Sequence, residues 1–509
     1  MLLRVNVLSS IKRVVFGALL LLLSFSAATA DDLKEHFDKG VQLYKQQKYD
    51  EALAEFGAAR KIAPEEVTVL NWIGWIYLSQ QKYTDALEPL EKAAKLKPQN
   101  VDSHLNLGNV YDGLKRYNDA LKEFETLSML QPNSADAFYN LGGVYYKLGK
   151  PNEAIASYRK AAQLDPRDPY IQDSLGFMLL SSGNYAEALS AYDRATTLKP
   201  DNPTFWLNYG IAATTAAGKT SVKADKDAYF EKAGAAFARG YRLAPENYSM
   251  VETYGETLFD MGRITEAIPL FEKAARLDSK QFNPVYNLGL AQEKSGKLPD
   301  AMDAYKHALG LKPDDKNALL RLGQVQLKQK QFDDAVKTFT HLIDVAPGDL
   351  SGWINLSTAQ ENRGDAAGAV KTLLEAIKHG ESGPMRARIH VALGGYYYRK
   401  GVDPATPDPN ALKLSEAEYT TALKDAPDHP DALNGMGLIR HREKKFDDAI
   451  KYYRQALAAS PKFADAYNNL GVAYESKGDL EQARVNYKKA LESDPTNKLA
   501  RKNLDRLEK

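Results

Sequence analysis

The chain has no cysteine among its 509 residues. Disulfides and thiolate metal sites are therefore excluded, and the absence is compatible with an oxidising compartment. Histidine is scarce: His36, His104, His307, His341, His379, His390, His429 and His441 are all there are, and none forms a HExxH pair or another recognised metal spacing. These histidines read as surface or packing residues. Long apolar runs are missing too. The stretch Val14 to Phe25 holds twelve residues, against the roughly 20 that span a bilayer. Charge of one sign is also lacking, with a formal net of +1. A near-neutral chain has no overall electrostatic footprint for nucleic acid.

What precedes and follows Val14–Phe25 gives that short run a meaning. Arg4, Lys12 and Arg13 lie before it, and Ala28-Thr29-Ala30 stands before Asp31-Asp32. A basic start, an apolar centre and a small-x-small site predict a cleavable signal peptide over residues 1–30. The mature chain then begins at Asp31, is exported to the periplasm or the medium, and has no membrane span. With no cysteine, lipidation at this site is excluded.

The remainder is periodic. Small residues recur at Gly40, Gly74, Gly108, Gly142, Gly176 and Gly210, and again at Gly255, Gly289 and Gly323. A second small residue recurs at Ala52, Ala86, Ala120, Ala154 and Ala188, and onward to Ala449 and Ala483. Four residues later comes an aromatic or leucine, such as Phe56, Leu90, Phe124, Tyr158 and Tyr487, and most units close on proline, from Pro64 to Pro495. Apolar residues within each half follow the 3-4 spacing of a helix, and proline ends the second half. A single helical hairpin of this kind cannot bury both its faces, so each needs a neighbour on either side.

This order of small, aromatic and proline positions resembles the tetratricopeptide repeat family. The resemblance covers residues 33–497 as thirteen units. It implies an all-α, right-handed superhelical solenoid of helical hairpins, with the first helix of each unit lining a concave groove. Repeats one to five span 33–202. Repeat six, 203–247, carries an insert around TTAAGKTSVKADKD, expected as a longer turn between its helices. Repeats seven to nine span 248–349. Repeats ten and eleven, 350–429, are the least regular, with GVDPATPDPN expected as a stiff extended loop and the pair as a bend or joint. Repeats twelve and thirteen span 430–497. Lys498–Lys509 forms a capping helix, with Leu499, Ala500, Leu504 and Leu507 expected to cover the last repeat.

The repeats and cap leave no room for a separate catalytic domain, so no catalytic residue, metal or cofactor is expected. Gly218-Lys219-Thr220 resembles the end of a phosphate-binding loop, but residue 213 is alanine and the context is helical. No nucleotide site is expected.

Binding is expected on the first helices. Asn106, Asn140, Asn208, Asn287, Asn355 and Asn469 form a ladder two residues before the glycine position. An amide can both donate to and accept from a peptide backbone, and in family members that hold extended peptides asparagines here clamp the ligand. Phe37, Tyr44, Trp72, Trp75, Tyr139, Tyr146, Tyr170 and Phe177 fall on groove-facing phases, where aromatics suit peptide side chains or sugar rings. The family's carboxylate clamp is not expected, because Glu252 and Glu256 stand where its Lys and Asn belong. The function expected is a non-enzymatic scaffold for a protein or extended peptide. Alternatives are a glycan-holding part of a polysaccharide export machine and a regulatory subunit of a separate enzyme.

Overall fold

The computed structural model describes residues 27–379, 383–405 and 408–508. Residues 1–26, most of the expected signal peptide, lie outside them. Among the described residues there are α-helices, one short 3-10 turn and no strands. The chain divides into two compact units, Met1–Gly262 and Arg263–Lys509.

The first unit pairs α1 (Ala27–Lys45) with α2 (Tyr49–Ile62), and α3 (Val67–Ser79) with α4 (Tyr83–Leu96). Next come α5 (Val101–Gly113) with α6 (Tyr117–Leu130), and α7 (Ala135–Lys147) with α8 (Pro151–Leu164). Then follow α9 (Pro169–Ser181) with α10 (Tyr185–Leu198), α11 (Pro203–Lys219) with α12 (Lys223–Leu243), and α13 (Tyr248–Asp260). The second unit opens on α14 (Ile264–Leu277), followed by α15 (Phe282–Lys294) with α16 (Leu298–Leu311) and α17 (Lys316–Lys328) with α18 (Phe332–Val345). It continues with α19 (Leu350–Arg363) and α20 (Ala366–Ala376), then α21 (Pro384–Val402) and α22 (Pro409–Asp425). It ends with α23 (Pro430–Arg442) and α24 (Phe446–Ala459), α25 (Ala464–Ser476) and α26 (Leu480–Ser493), and a last α27 (Lys498–Leu507). Within each unit a helix packs on its hairpin partner and on the next helix in the chain.

Local chemistry sets the ends. Asn100, Ser134, Asp168 and Asn202 each accept a backbone N–H of the first helix they precede, satisfying donors that a helix start leaves open. The short turn inside most hairpins uses one left-handed residue. Gly478 supplies it at φ +85°, whereas Lys115 is forced there at φ +60°.

In most hairpins the glycine of the first helix faces the aromatic of the second. A Cβ at Gly108 would lie 2.6 Å from the Phe124 ring, and one at Gly471 would lie 2.6 Å from the Tyr487 ring. This close approach seals the rings: Phe124, Tyr158, Phe237, Tyr305 and Tyr487 are fully buried, each worth about 1.5–3 kcal/mol against exposure. The alanines of the second helices, Ala188 among them, are equally sealed. Repeat eleven follows the same plan with different residues. Gly394 faces Tyr419, and Ser415 takes the alanine place and donates to the Gly394 carbonyl at 2.8 Å.

Three expectations change. The insert of repeat six is not a long turn: it lengthens both helices, to 17 and 21 residues, leaving only 220–222 between them. Most of its residues continue the helical pattern, so hydrogen-bonded turns absorb the extra length. The proline-rich stretch of repeat eleven is likewise partly helix, since α21 runs to Val402 and α22 starts at Pro409. On α27, Ala500 and Leu504 are buried against the last repeat as expected, but Leu499 is 64% exposed.

Candidate interaction face on the first helices

The asparagines do not form one open row. Asn208 Nδ2 donates to Asp173 Oδ1 at 2.8 Å and Asn469 Nδ2 to Asn434 Oδ1 at 3.0 Å, each reaching 35 residues back to the preceding first helix. Asn503 on α27 repeats the step onto Asn468 at 2.9 Å. Asn355 donates to the Ser351 carbonyl of its own helix. Asn106 and Asn140 are buried, and Asn287 is half-buried and already engaged. At Asn208 and Asn469 the amide ties one repeat to the previous one.

Of the expected groove aromatics, Tyr44, Trp72 and Trp75 belong to the core, and Phe37, Tyr139 and Tyr170 are half-buried. Trp72 is 3% exposed and stacks on Phe56 with centroids 5.4 Å apart. Trp75 is 7% exposed and donates to the Tyr44 hydroxyl at 2.8 Å. Their apolar rings fill the seam of α1, α2 and α3, where burial outweighs display. Phe37 packs edge-on to Phe56, and Tyr139 edge-on to Tyr158. Tyr170 packs on Phe205 and accepts a hydrogen bond from Lys199 at 2.9 Å.

Tyr146 and Phe177 differ. They are 41% and 37% exposed, and their rings meet edge to face at 5.4 Å across α7 and α9. Ile211 on α11, 38% exposed, follows its glycine as Phe177 follows Gly176. Three successive first helices thus show an apolar side chain to solvent.

Beneath this patch lies Tyr158. Its hydroxyl is buried without a hydrogen-bond partner, and a Cβ at Gly143 would lie 3.5 Å from it. Two tyrosines in the same register elsewhere are satisfied. Tyr305 donates to Glu293 at 3.0 Å and Tyr487 to Glu475 at 2.7 Å, each acceptor twelve residues upstream. Twelve residues upstream of Tyr158 stands Tyr146. The sequence pattern marks Tyr158 as one more core aromatic and gives Gly143 and Ile211 no role. The missing glutamate at residue 146 is the available signal.

Charge is sorted by helix layer. The first helices α3 to α13 carry Asp102, Asp112, Asp136, Asp173, Glu252, Glu256 and Asp260 against Lys147 and Lys219. In the second unit the balance reverses: α15 to α25 carry eleven Lys and Arg against five Asp and Glu. The neutral total conceals this. Lys147 is itself paired with the buried Asp112 at 2.5 Å. Burial pushes the Asp173 carboxyl up to about 6, with the Asn208 hydrogen bond acting against the rise. His104 packs between Glu123 at 2.7 Å and the Pro98 carbonyl, and the Glu123 carboxylate holds its imidazole above the usual range.

Among the described residues no group of three or more His, Asp or Glu is arranged to hold a metal, and no helix is long and apolar enough to cross a membrane.

Comparison with known proteins agrees with the hairpin plan. Family models described as "Tetratricopeptide repeat" match residues 37–101, 77–141, 135–168, 292–359, 413–462 and 442–498. A model described as "TPR repeat" matches 176–213 and 255–296. No curated relative matches the chain. Among solved structures, the APC/C hetero-tetramer Cut9–Hcn1 is 15% identical, with 92% of this chain and 95% of that chain covered and a TM-score of 0.39. TTC0263, a thermophilic TPR protein of Thermus thermophilus, is 27% identical, with 35% of this chain and 98% of that chain covered and a TM-score of 0.30. MamA is 24% identical, with 32% and 94% covered and a TM-score of 0.31. With its hairpins in register and these matches spanning well over half its length, the chain belongs to the tetratricopeptide repeat family, an all-α solenoid scaffold suited to protein–protein interaction.

Proposed function

We propose that the protein is an exported, non-enzymatic scaffold that binds a protein or extended peptide along its first helices, with Tyr146 and Phe177 as the anchoring pair. The observation that carries this reading is the exposure of those two touching rings in a fold whose other ring pairs are largely buried. Aromatic surface left in water costs free energy that a partner recovers by covering it. Asn208 ties α11 to α9, the helix that presents Phe177.

The test is capture of partners from an extract of the source cells on the immobilised protein, beside a variant with Tyr146→Ser and Phe177→Ser. A partner kept by the first and lost by the second supports the reading. Partners held equally by both refute it. Export rests on the leader-like residues 1–30. Amino-terminal sequencing of protein recovered outside the cytoplasm is expected to begin at Asp31, and a chain found only inside the cell with Met1 retained rules export out.

A further inference from the structure

The residue four before the glycine position of a first helix reaches back, in three repeats, to the proline that closes the repeat before. Trp206 Nε1 donates to the Pro200 carbonyl at 2.9 Å, and Trp353 Nε1 donates to the Pro347 carbonyl at 2.8 Å. His104 Nε2 lies 2.8 Å from the Pro98 carbonyl. A carbonyl only accepts, so each contact needs a ring N–H. In the two tryptophans that N–H is permanent. In His104 it is a proton that can leave.

His104 makes a second contact in the same plane of need. Its Nδ1 lies 2.7 Å from Glu123 Oε2 on α6. An ionised carboxylate also only accepts. The ring therefore faces an acceptor at both nitrogens, whereas a neutral imidazole carries one N–H. Only the imidazolium makes both bonds. His390 stands in the same register and meets Glu418 at 2.6 Å, but Arg386 Nε donates to its Nε2 at 3.5 Å, so that nitrogen needs no proton. His36, with Glu55 at 2.6 Å, is more open, and water can serve its other nitrogen.

The surroundings of His104 favour the charge. The residue is 7% exposed, and burial alone disfavours a cation. The Glu123 carboxylate outweighs burial and holds the imidazole above its usual range, with the Pro98 carbonyl acting in the same direction. Helices α3, α4 and α6 all pack on α5. Among the described residues only α6 brings a charged side chain to the ring, that of Glu123. Tyr111 on α5 lies near the same carboxylate, but burial pushes its ionisation up and its hydroxyl donates to Glu91 at 2.8 Å.

We propose that His104 is a proton-gated latch: as imidazolium it ties the turn that closes repeat two to the second helix of repeat three, and as imidazole it releases one of them. Neutral, the ring has one N–H for two acceptors, and its other nitrogen turns a lone pair on an oxygen. A histidine raised in the folded state stabilises fully below its unfolded value of about 6.5, and that contribution is lost as pH rises through the higher folded value. The latch is thus closed in mild acid and open in alkali. It does not depend on the reading of Tyr146 and Phe177.

The test uses the full protein. Histidine Cε1 resonances are followed from about pH 5 to about pH 9, the range in which histidine charge changes. The signal lost in His104→Gln should keep its charged-form position past about pH 6.5, and Glu123→Gln should bring its midpoint down. If His104→Gln fails to fold, the signal that moves in Glu123→Gln is the one to follow. Hydrogen exchange of the wild type, corrected for intrinsic rate, needs no variant. Amides of 97–104 should exchange several-fold faster above the transition, while those of 199–206, held by the permanent N–H of Trp206, should not. A His104 midpoint at or below about 6.5, or one that Glu123→Gln leaves unmoved, overturns the latch. So does exchange that changes alike in the two turns.

Discussion

Asn208 donates its amide to the Asp173 carboxylate at 2.8 Å, linking α11 to α9 one repeat earlier. The acid is largely buried, and burial raises it to about 6 despite the amide. An aspartate raised above its unfolded value favours the folded state most when protonated. Its contribution is therefore full below about pH 4, the unfolded pKa, and is lost as pH rises through about 6. Asp173→Asn should remove this dependence. The variant is expected to be more stable than the wild type at pH 7, by about 3 kcal/mol, with the difference closing toward pH 4. Urea unfolding of both proteins across that range checks it, and parallel curves would show that Asp173 does not titrate there.

The buried tyrosines of the second helices give a matched series. Tyr305→Phe removes a hydrogen bond to the Glu293 carboxylate and should cost about 1.5–3 kcal/mol. Tyr158→Phe removes no bond and should cost nothing or gain stability. Tyr146→Glu places an acceptor where Glu293 and Glu475 stand in their own repeats, and should raise the melting temperature. Equal losses for Tyr305→Phe and Tyr158→Phe would contradict the register argument.

Lys115 sits in the turn of the third hairpin at φ +60°. A side chain in that region is strained, while glycine adopts it freely. Lys115→Gly should stabilise by up to about 1 kcal/mol, reduced by glycine's greater freedom in the unfolded chain. Thermal melting decides the sign.

Ala188 is fully buried between α9 and α10. Ala188→Leu inserts three carbons into a closed seam and should cost about 1–3 kcal/mol. An unchanged melt would mean that the alanine is not a packing requirement.

The hairpin repeat, its caps and its closing prolines are legible in the residues themselves. Helical spacing, N-cap chemistry and proline act locally, so Asn100, Ser134, Asp168 and Asn202 cap their helices as expected. The insert of repeat six reads wrongly as a loop because added turns of helix and an added loop can share one composition. Exposure is not legible. Trp72, Trp75 and Tyr146 all lie on groove-facing phases, yet the first two are core and the third is open, because only the packing of neighbouring helices decides which ring is covered. The partner of Asn208 lies equally out of reach, since hydrogen bonds across repeats depend on how helices stack. The sequence by itself determined an all-α array of tetratricopeptide hairpins, through local periodicity. The tertiary structure alone decided where apolar surface and an unmet hydroxyl coincide, because both are properties of packed neighbours.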